Sequence, residues 1–164
     1  MAKRVLVCLV GLPAAGKSTL CSALLRQSTN HKIEHICYDQ HIKTVNHVVD
    51  PTAWNTARQT LNRTIAELVS GEAEQCVNDA RSVVYLLDDN FYYRGMRKEI
   101  YHIAQRYSCV FGQIVFRVNR ELAISANLSR TDTIVTQETI EKMAEKILEK
   151  IFEKMPKKIF KKIL

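Results

Sequence analysis

The sequence predicts an α/β fold, a parallel sheet flanked by helices in one domain, and two observations carry that expectation. Apolar runs of strand length alternate with segments whose apolar residues recur at helical spacing, as parallel strands joined by crossover helices require. The first strand-to-helix junction reads Gly11-Leu12-Pro13-Ala14-Ala15-Gly16-Lys17-Ser18, which fits G-x-x-x-x-G-K-[ST] at every fixed position.

Each element has its own signature. Residues 5–10 are an unbroken apolar run, expected as a buried strand, and a helix follows to about Gln27. Residues 33–38 form a short second strand ending at Asp39. Asp50-Pro51 reads as a helix N-cap with proline at the first helical position. The helix after it is expected to bury Trp54, Ala57, Leu61, Ile65 and Leu68, and Ser70-Gly71 stops or kinks it. Residues 82–87 make a third strand that runs into Asp88-Asp89. Met96, Ile100, Ile103, Ala104 and Tyr107 mark the next helix, and residues 110–118 a fourth strand. A short helix spans 119 to about 128, a polar loop 131–135, and a last helical pattern begins near Thr136.

The composition limits the function classes. A chain of 164 residues, 46% hydrophobic and 25% charged, can bury a core of its own and is not a disordered segment. The net charge of +7 points to a polyanionic partner, although eight lysines against three glutamates from Lys142 onward supply five of the seven. Cys8, Cys21, Cys37, Cys76 and Cys109 are scattered, with no C-x-x-C. That suits reduced thiols in a cytoplasmic protein, with Cys8 in the core, and neither a disulfide framework nor a zinc site. The basic and apolar N-terminus imitates a signal peptide, but the same residues complete the glycine-bounded loop, so that reading is rejected. No apolar stretch approaches the ~18 residues that span a membrane, and no membrane partner is expected.

A strand, a glycine-bounded loop and a helix N-terminus make a phosphate cradle. Its residues are Gly11, Leu12, Pro13, Ala14, Ala15, Gly16, Lys17, Ser18 and Thr19. The expected fold is therefore of the P-loop NTPase or kinase type. Lys17 reaches β/γ-phosphate oxygens of a nucleotide such as ATP, and Ser18 ligates Mg²⁺. Asp88 or Asp89, at the carboxyl end of the third strand, is placed for the second metal ligand, or else caps a turn. Asp39 ends the second strand on the ligand side and is the candidate to accept a proton from a substrate hydroxyl. Arg130 falls where nucleotide kinases carry a helical lid, and an arginine there can neutralise charge on a moving phosphoryl group. The aromatics and arginines of Asn90-Phe91-Tyr92-Tyr93-Arg94-Gly95-Met96-Arg97 either grip RNA or pack the core. His31, His35, His41, His47 and His102 show no ligand spacing and are assigned no role.

Gly-Leu-Pro-Ala-Ala-Gly-Lys-Ser-Thr at 11–19, Tyr38-Asp39, and Leu87-Asp88-Asp89-Asn90-Phe91-Tyr92-Tyr93 with Met96-Arg97 together resemble the L-seryl-tRNA(Sec) kinase family. The resemblance covers roughly residues 4–150. It implies phosphorylation of the seryl group of seryl-tRNA(Sec), dependent on ATP and Mg²⁺, in selenocysteine biosynthesis. It further implies that Lys17 and Ser18 bind phosphate and Mg²⁺, that Asp39 is the catalytic carboxylate, and that Asp88 is the metal-side acid.

Three departures from the family pattern stand out. Its Arg-Asn-x-x-Arg lid reads Ala126-Asn127-Leu128-Ser129-Arg130 here, so one lid cation is missing. An arginine that archaeal members carry three residues after the catalytic Asp is Ile42, with Lys43 adjacent. After about Lys150 the sequence diverges. The expected organisation is a kinase domain over 1–150 and a basic amphipathic tail over 151–164, without the family's tRNA-docking second domain. The tail is expected to cover an apolar face of the core, or else to bind RNA or a membrane surface. Two other functions fit the same residues: a nucleotide-binding tRNA-modification factor that transfers no phosphate, and an inactive shortened form.

Overall fold

The computed structural model describes residues 3–28, 31–41, 51–70, 82–130 and 135–147. The element order is β1 (Arg4–Val10), α1 (Lys17–Gln27), β2 (Lys32–Cys37), α2 (Pro51–Ser70), β3 (Val83–Asp88), α3 (Arg94–Arg106), β4 (Val110–Val115), α4 (Arg120–Leu128) and α5 (Gln137–Ile147). A single 3₁₀ turn covers Tyr38–His41. The four strands are parallel in the order β2-β3-β1-β4, with helices on both faces, which bears out the expected α/β class.

Side-chain alternation along the strands sorts the core into layers. Leu6, Cys8 and Val10 of β1 point to one face with Tyr85 and Leu87 of β3. There they meet Leu61, Ile65 and Val69 of α2 and Met96, Ile100 and Ala104 of α3. Leu9 and Leu86 point the other way and pack with Cys21 of α1, flanked by Val7, Leu24, Ile33 and Val84. Burial on both faces is why β1 has to be apolar at nearly every position. A third cluster joins Leu12 to Ala123 of α4 and to Ile140, Met143, Ala144 and Ile147 of α5. That contact anchors α4 and α5 beside the glycine-bounded loop. Burial of each such aliphatic side chain contributes about 1.5–3 kcal/mol.

Two expectations are corrected. The fourth strand stops at Val115, three residues short of 118. Its register partner β1 ends at Val10, opposite Val115, and then becomes the glycine-bounded loop, so β4 has nothing further to pair with there. In α2 it is Val69, fully buried, that faces the core, while Leu68 is 36% exposed. The buried stripe runs Arg58, Leu61, Asn62, Ile65, Val69, and two of those positions are polar. An apolar pattern alone therefore placed the stripe slightly off. Asn119 caps α4, its side chain accepting the Glu121 N–H at 2.7 Å. Asp50, Gly71, Cys76, Ile42, Lys43, residues 131–134 and the tail 151–164 lie outside the described residues. Among the described residues no helix is long and apolar enough to cross a membrane.

The corrected stripe has a direct test. Ile65→Ala is expected to cost about 2–5 kcal/mol in urea unfolding, because Ile65 is fully buried where α2 packs on the sheet. Leu68→Ala is expected to change stability by only about 0.5 kcal/mol.

Candidate functional site

Parallel pairing ends β1, β2 and β3 at one level: Leu9 pairs with Asp88, and Asp88 pairs with Cys37. The residues that follow each strand therefore gather at the carboxyl edge of the sheet, where α/β folds bind ligands. Gly11, Tyr38-Asp39 and Asp89-Asn90 arrive there from three separate strands.

The loop over 11–18 is shaped as a cradle. A Cβ on Gly11 would sit 2.8 Å from Phe116 Cβ, so only glycine fits between the loop and the chain leaving β4. The Gly11 N–H donates to Asn90 O at 3.2 Å. Gly16 precedes α1 with φ +88°, in the left-handed region that glycine tolerates. It offers no side-chain cap, and the first turn of α1 carries no acidic residue. The N–H groups and positive dipole end of α1 are thus left for an anion. Lys17 Nζ is buried at the centre and donates to Gly11 O (3.2 Å), Leu12 O (2.8 Å) and Asn90 Oδ1 (2.9 Å). Burial lowers its pKa, while Asp88, Asp89 and Asp39 oppose that shift.

The two adjacent acids face different partners. Ser18 Oγ donates to Asp88 Oδ2 at 2.6 Å, and His35 Nε2 lies 3.0 Å from the same oxygen. Asp89 instead accepts from Arg58 Nη1 and, through Oδ1, from the Asn90 N–H at 2.6 Å. Only Asp88 stands against the hydroxyl of the loop. The hydroxyl and carboxylate oxygens of Ser18 and Asp88 are hard donors that fit Mg²⁺, and the anion-ready helix end fits a nucleotide's phosphates.

Arg58 holds this edge together. Its guanidinium lies over the rings of Trp54 (4.9 Å to the centroid), Tyr38 (5.0 Å) and Phe91 (5.4 Å). Both members of the Arg58–Asp89 pair are buried, and among the described residues Arg58 Nη2 has no hydrogen-bond partner. Through Asp89 and Asn90 the pair leads to Lys17 and Gly11. Phe91, fully buried, packs edge-on against Tyr38 at 5.4 Å, and the Tyr38 hydroxyl donates to Asn62 Oδ1 at 2.7 Å.

Asp39 lies in the 3₁₀ turn after β2 with one side open to solvent. Protein on its other sides strips part of its hydration, which raises its carboxyl above the ordinary aspartate value. Asp89 and Asp88 raise it further, and Arg130 and Lys17 pull it down. Arg130 acts on both Asp39 and Lys17, so it belongs to the same electrostatic neighbourhood. It follows α4 directly. Asn127, buried in that helix, donates to Val135 O (2.7 Å) and accepts from the Val135 N–H (3.1 Å), clasping α4 to the approach to α5.

The aromatic block divides. Phe91 and Arg97 are structural: both are buried, and Arg97 donates to Phe91 O. Tyr93 and Arg94 are exposed and leave one polar, aromatic edge available. Beside the loop, Leu12, Phe116, Arg117, Val118, Asn119, Arg120, Ala144 and Ile147 line a cleft of about 270 Å³.

Sequence reasoning missed His35, Arg58 and Asn90. His35 was assigned no role, yet it meets Asp88 because β2 pairs with β3 and the two residues share a sheet face. Period-two alternation in β2 carried that signal. Arg58 had a signal too, since it falls on the buried stripe of α2. Asn90 had none beyond its place after the acid pair.

The buried ion pair makes a prediction for stability. Arg58→Met strands the Asp89 charge and is expected to cost about 3–5 kcal/mol in urea unfolding. Adding Asp89→Asn is expected to recover part of that loss, because the remaining group is then uncharged.

Comparison with known proteins agrees with this picture. The chain is similar to the curated human L-seryl-tRNA(Sec) kinase, with 30% identity over 86% of this chain and 54% of that protein. The mouse protein of the same name is 29% identical over 82% of this chain and 51% of its own length. The chain thus spans about half the length of the curated relatives it matches, and the resemblance read from its motifs is borne out. Among solved structures, Kti12 of Chaetomium thermophilum in complex with ADP-AlF3 aligns with a TM-score of 0.59 at 18% identity. That alignment covers 86% of this chain and 79% of the other, and it shows a shared fold. A family described as an AAA domain matches residues 6–149. With a phosphate cradle on a parallel sheet and a match over most of its length, the chain belongs to this AAA domain family.

Proposed function

We propose that the chain is an ATP-dependent kinase that phosphorylates the seryl group of seryl-tRNA(Sec). The observation that carries this reading is the Ser18–Asp88 contact beside the buried Lys17, with Asp39 and Arg130 close enough to Lys17 to act on it electrostatically. Similarity to the human and mouse L-seryl-tRNA(Sec) kinases supports the choice of substrate.

Each residue has a task in that reaction. The N–H groups of Gly16–Thr19 and the Lys17 ammonium hold the nucleotide phosphates within the Gly11–Thr19 loop; to reach them, Lys17 gives up at least one of its three present acceptors. Ser18 and Asp88 would hold Mg²⁺, which supplies charge neutralisation at the transferring phosphate. Asp39 takes the proton of the seryl hydroxyl as its oxygen attacks the γ-phosphorus. One P–O bond forms to serine, the bond to the departing ADP breaks, and the proton passes on to solvent. Arg130 balances the negative charge gathered at that centre. The cleft between Leu12, Phe116–Arg120 and α5 suits the nucleoside end. The kinase domain takes up residues 1–150, followed by a basic amphipathic segment over 151–164.

The test is transfer of labelled γ-phosphate to seryl-tRNA(Sec). Wild type is expected to yield phosphoseryl-tRNA, and Asp39→Ala to slow transfer about 10²–10⁴-fold. ATP consumption with no phosphorylated tRNA points instead to a tRNA-modification factor, and full activity in Asp39→Ala removes the assigned base. The pH profile gives a second reading. The Asp39 carboxyl is raised, and activity needs its charged form. The acid limb of kcat/KM is therefore expected above the ordinary aspartate range, with activity falling as pH drops through it. Arg130 lowers that pKa, so Arg130→Met is expected to move the limb to higher pH.

A further inference from the structure

Three donor atoms of different chemistry meet beside Asp88. Cys21 comes from α1, His35 from β2 and Asp88 from the end of β3. Their thiol sulfur, ring nitrogen and carboxylate oxygen all lie within 4.8 Å of one another. The fold creates this juxtaposition. His35 pairs with Leu86, Asp88 stands two residues further on the same face, and Cys21 packs onto that face from the helix. Cys21 is fully buried, while the His35 side chain is 20% exposed and opens the corner to solvent.

One thiol, one imidazole and one carboxylate form a poor set for Mg²⁺, which prefers oxygens, and a suitable set for zinc. Donors around one tetrahedral zinc lie about 3.5 Å apart, so closing on an ion takes side-chain shifts of about 1 Å. The Ser18 hydroxyl, 2.6 Å from Asp88 Oδ2, or a water would complete four ligands.

We infer that Cys21, His35 and Asp88 form a site for zinc or a similar borderline-soft dication, and that its occupation keeps magnesium–nucleotide off the phosphate loop. The site itself stands on the three donors. The exclusion rests on the proposed magnesium role of Ser18 and Asp88: Ser18 and His35 both meet the same carboxylate oxygen, Asp88 Oδ2, so an ion held from the His35 side takes the oxygen that magnesium would use. Binding forms a sulfur–metal bond and releases the Cys21 proton to the buffer.

Cobalt(II) added to the reduced, full-length chain without nucleotide is the test. The expected spectrum has tetrahedral d–d bands and a near-ultraviolet thiolate-to-cobalt band, both displaced by zinc. Cys21→Ser and Cys21→Ala are each expected to abolish the thiolate band. His35→Gln is expected to weaken zinc binding about 10-fold or more. No thiolate band in wild type, or an unchanged band in the Cys21 variants, overturns the site. Should neither Cys21 variant fold, unchanged zinc affinity in His35→Gln overturns it instead. Binding of a fluorescent ATP analogue with Mg²⁺ is then measured with and without zinc. Zinc is expected to weaken it in wild type and not in Cys21→Ser; equal weakening in both overturns the exclusion. Absence of nucleotide binding in zinc-free wild type counts against the kinase reading and leaves the cobalt result standing.

Discussion

The parallel pairing of β1 with β3 is the constraint on which the rest depends. Six register pairs, from Arg4 with Val83 to Leu9 with Asp88, bring the two strands to an end together. Because they end together, the glycine-bounded loop leaving β1 meets the acid pair leaving β3. Gly11 N–H then reaches Asn90 O, and Ser18 reaches Asp88. A slip of one residue would turn Asp88 toward the α2–α3 face and Leu87 toward the loop. The apolar alternation of Leu6, Cys8 and Val10 against Leu9 opposes such a slip, since each set packs a different helical layer.

Charge is concentrated where the hydrophobic layers stop. Lys17, Arg58, Asp88 and Asp89 are all buried; Arg58 and Asp89 pair with each other, while Lys17 donates to neutral oxygens and Asp88 accepts from the Ser18 hydroxyl. Burying such groups is costly unless they are compensated, so the arrangement carries a stability cost that function explains better than folding does. The Arg58–Asp89 pair serves the scaffold, and its aromatic surroundings tie α2 to the end of β3. The Ser18–Asp88 contact joins the end of β3 to the start of α1. Two adjacent aspartates in the sequence are thus divided between the two sides of the sheet edge, one meeting Arg58 of α2 and the other Ser18 of α1.

Much of this is legible in the sequence. The strands and helices fell within a few residues of their expected places, because apolar periodicity and turn chemistry are local properties. The phosphate loop was legible for the same reason: every residue of the cradle is contiguous. Asp39, the pair Asp88-Asp89 and Arg130 stand out as candidates by their positions after strands or a helix. The choice between Asp88 and Asp89 was not legible, because both end the same strand and only the facing loop distinguishes them. His35 was passed over, since its partners Asp88 and Cys21 are distant in sequence. The stripe of α2 was misjudged at Leu68 because Arg58 and Asn62 occupy buried positions that an apolar pattern does not register.

The sequence by itself determined the fold class, the glycine-bounded loop and the likeness to the L-seryl-tRNA(Sec) kinases, because these follow from contiguous residues and short-range periodicity. Tertiary structure alone decided how distant residues combine. It turned Asp88 to Ser18 and Asp89 to Arg58, placed His35 and Cys21 at the same corner, and drew Arg130 into the field of Asp39 and Lys17. The physical reason is that these relations depend on strand register and helix docking. Both are settled by which apolar faces bury against each other across the whole chain, and no local stretch carries that information.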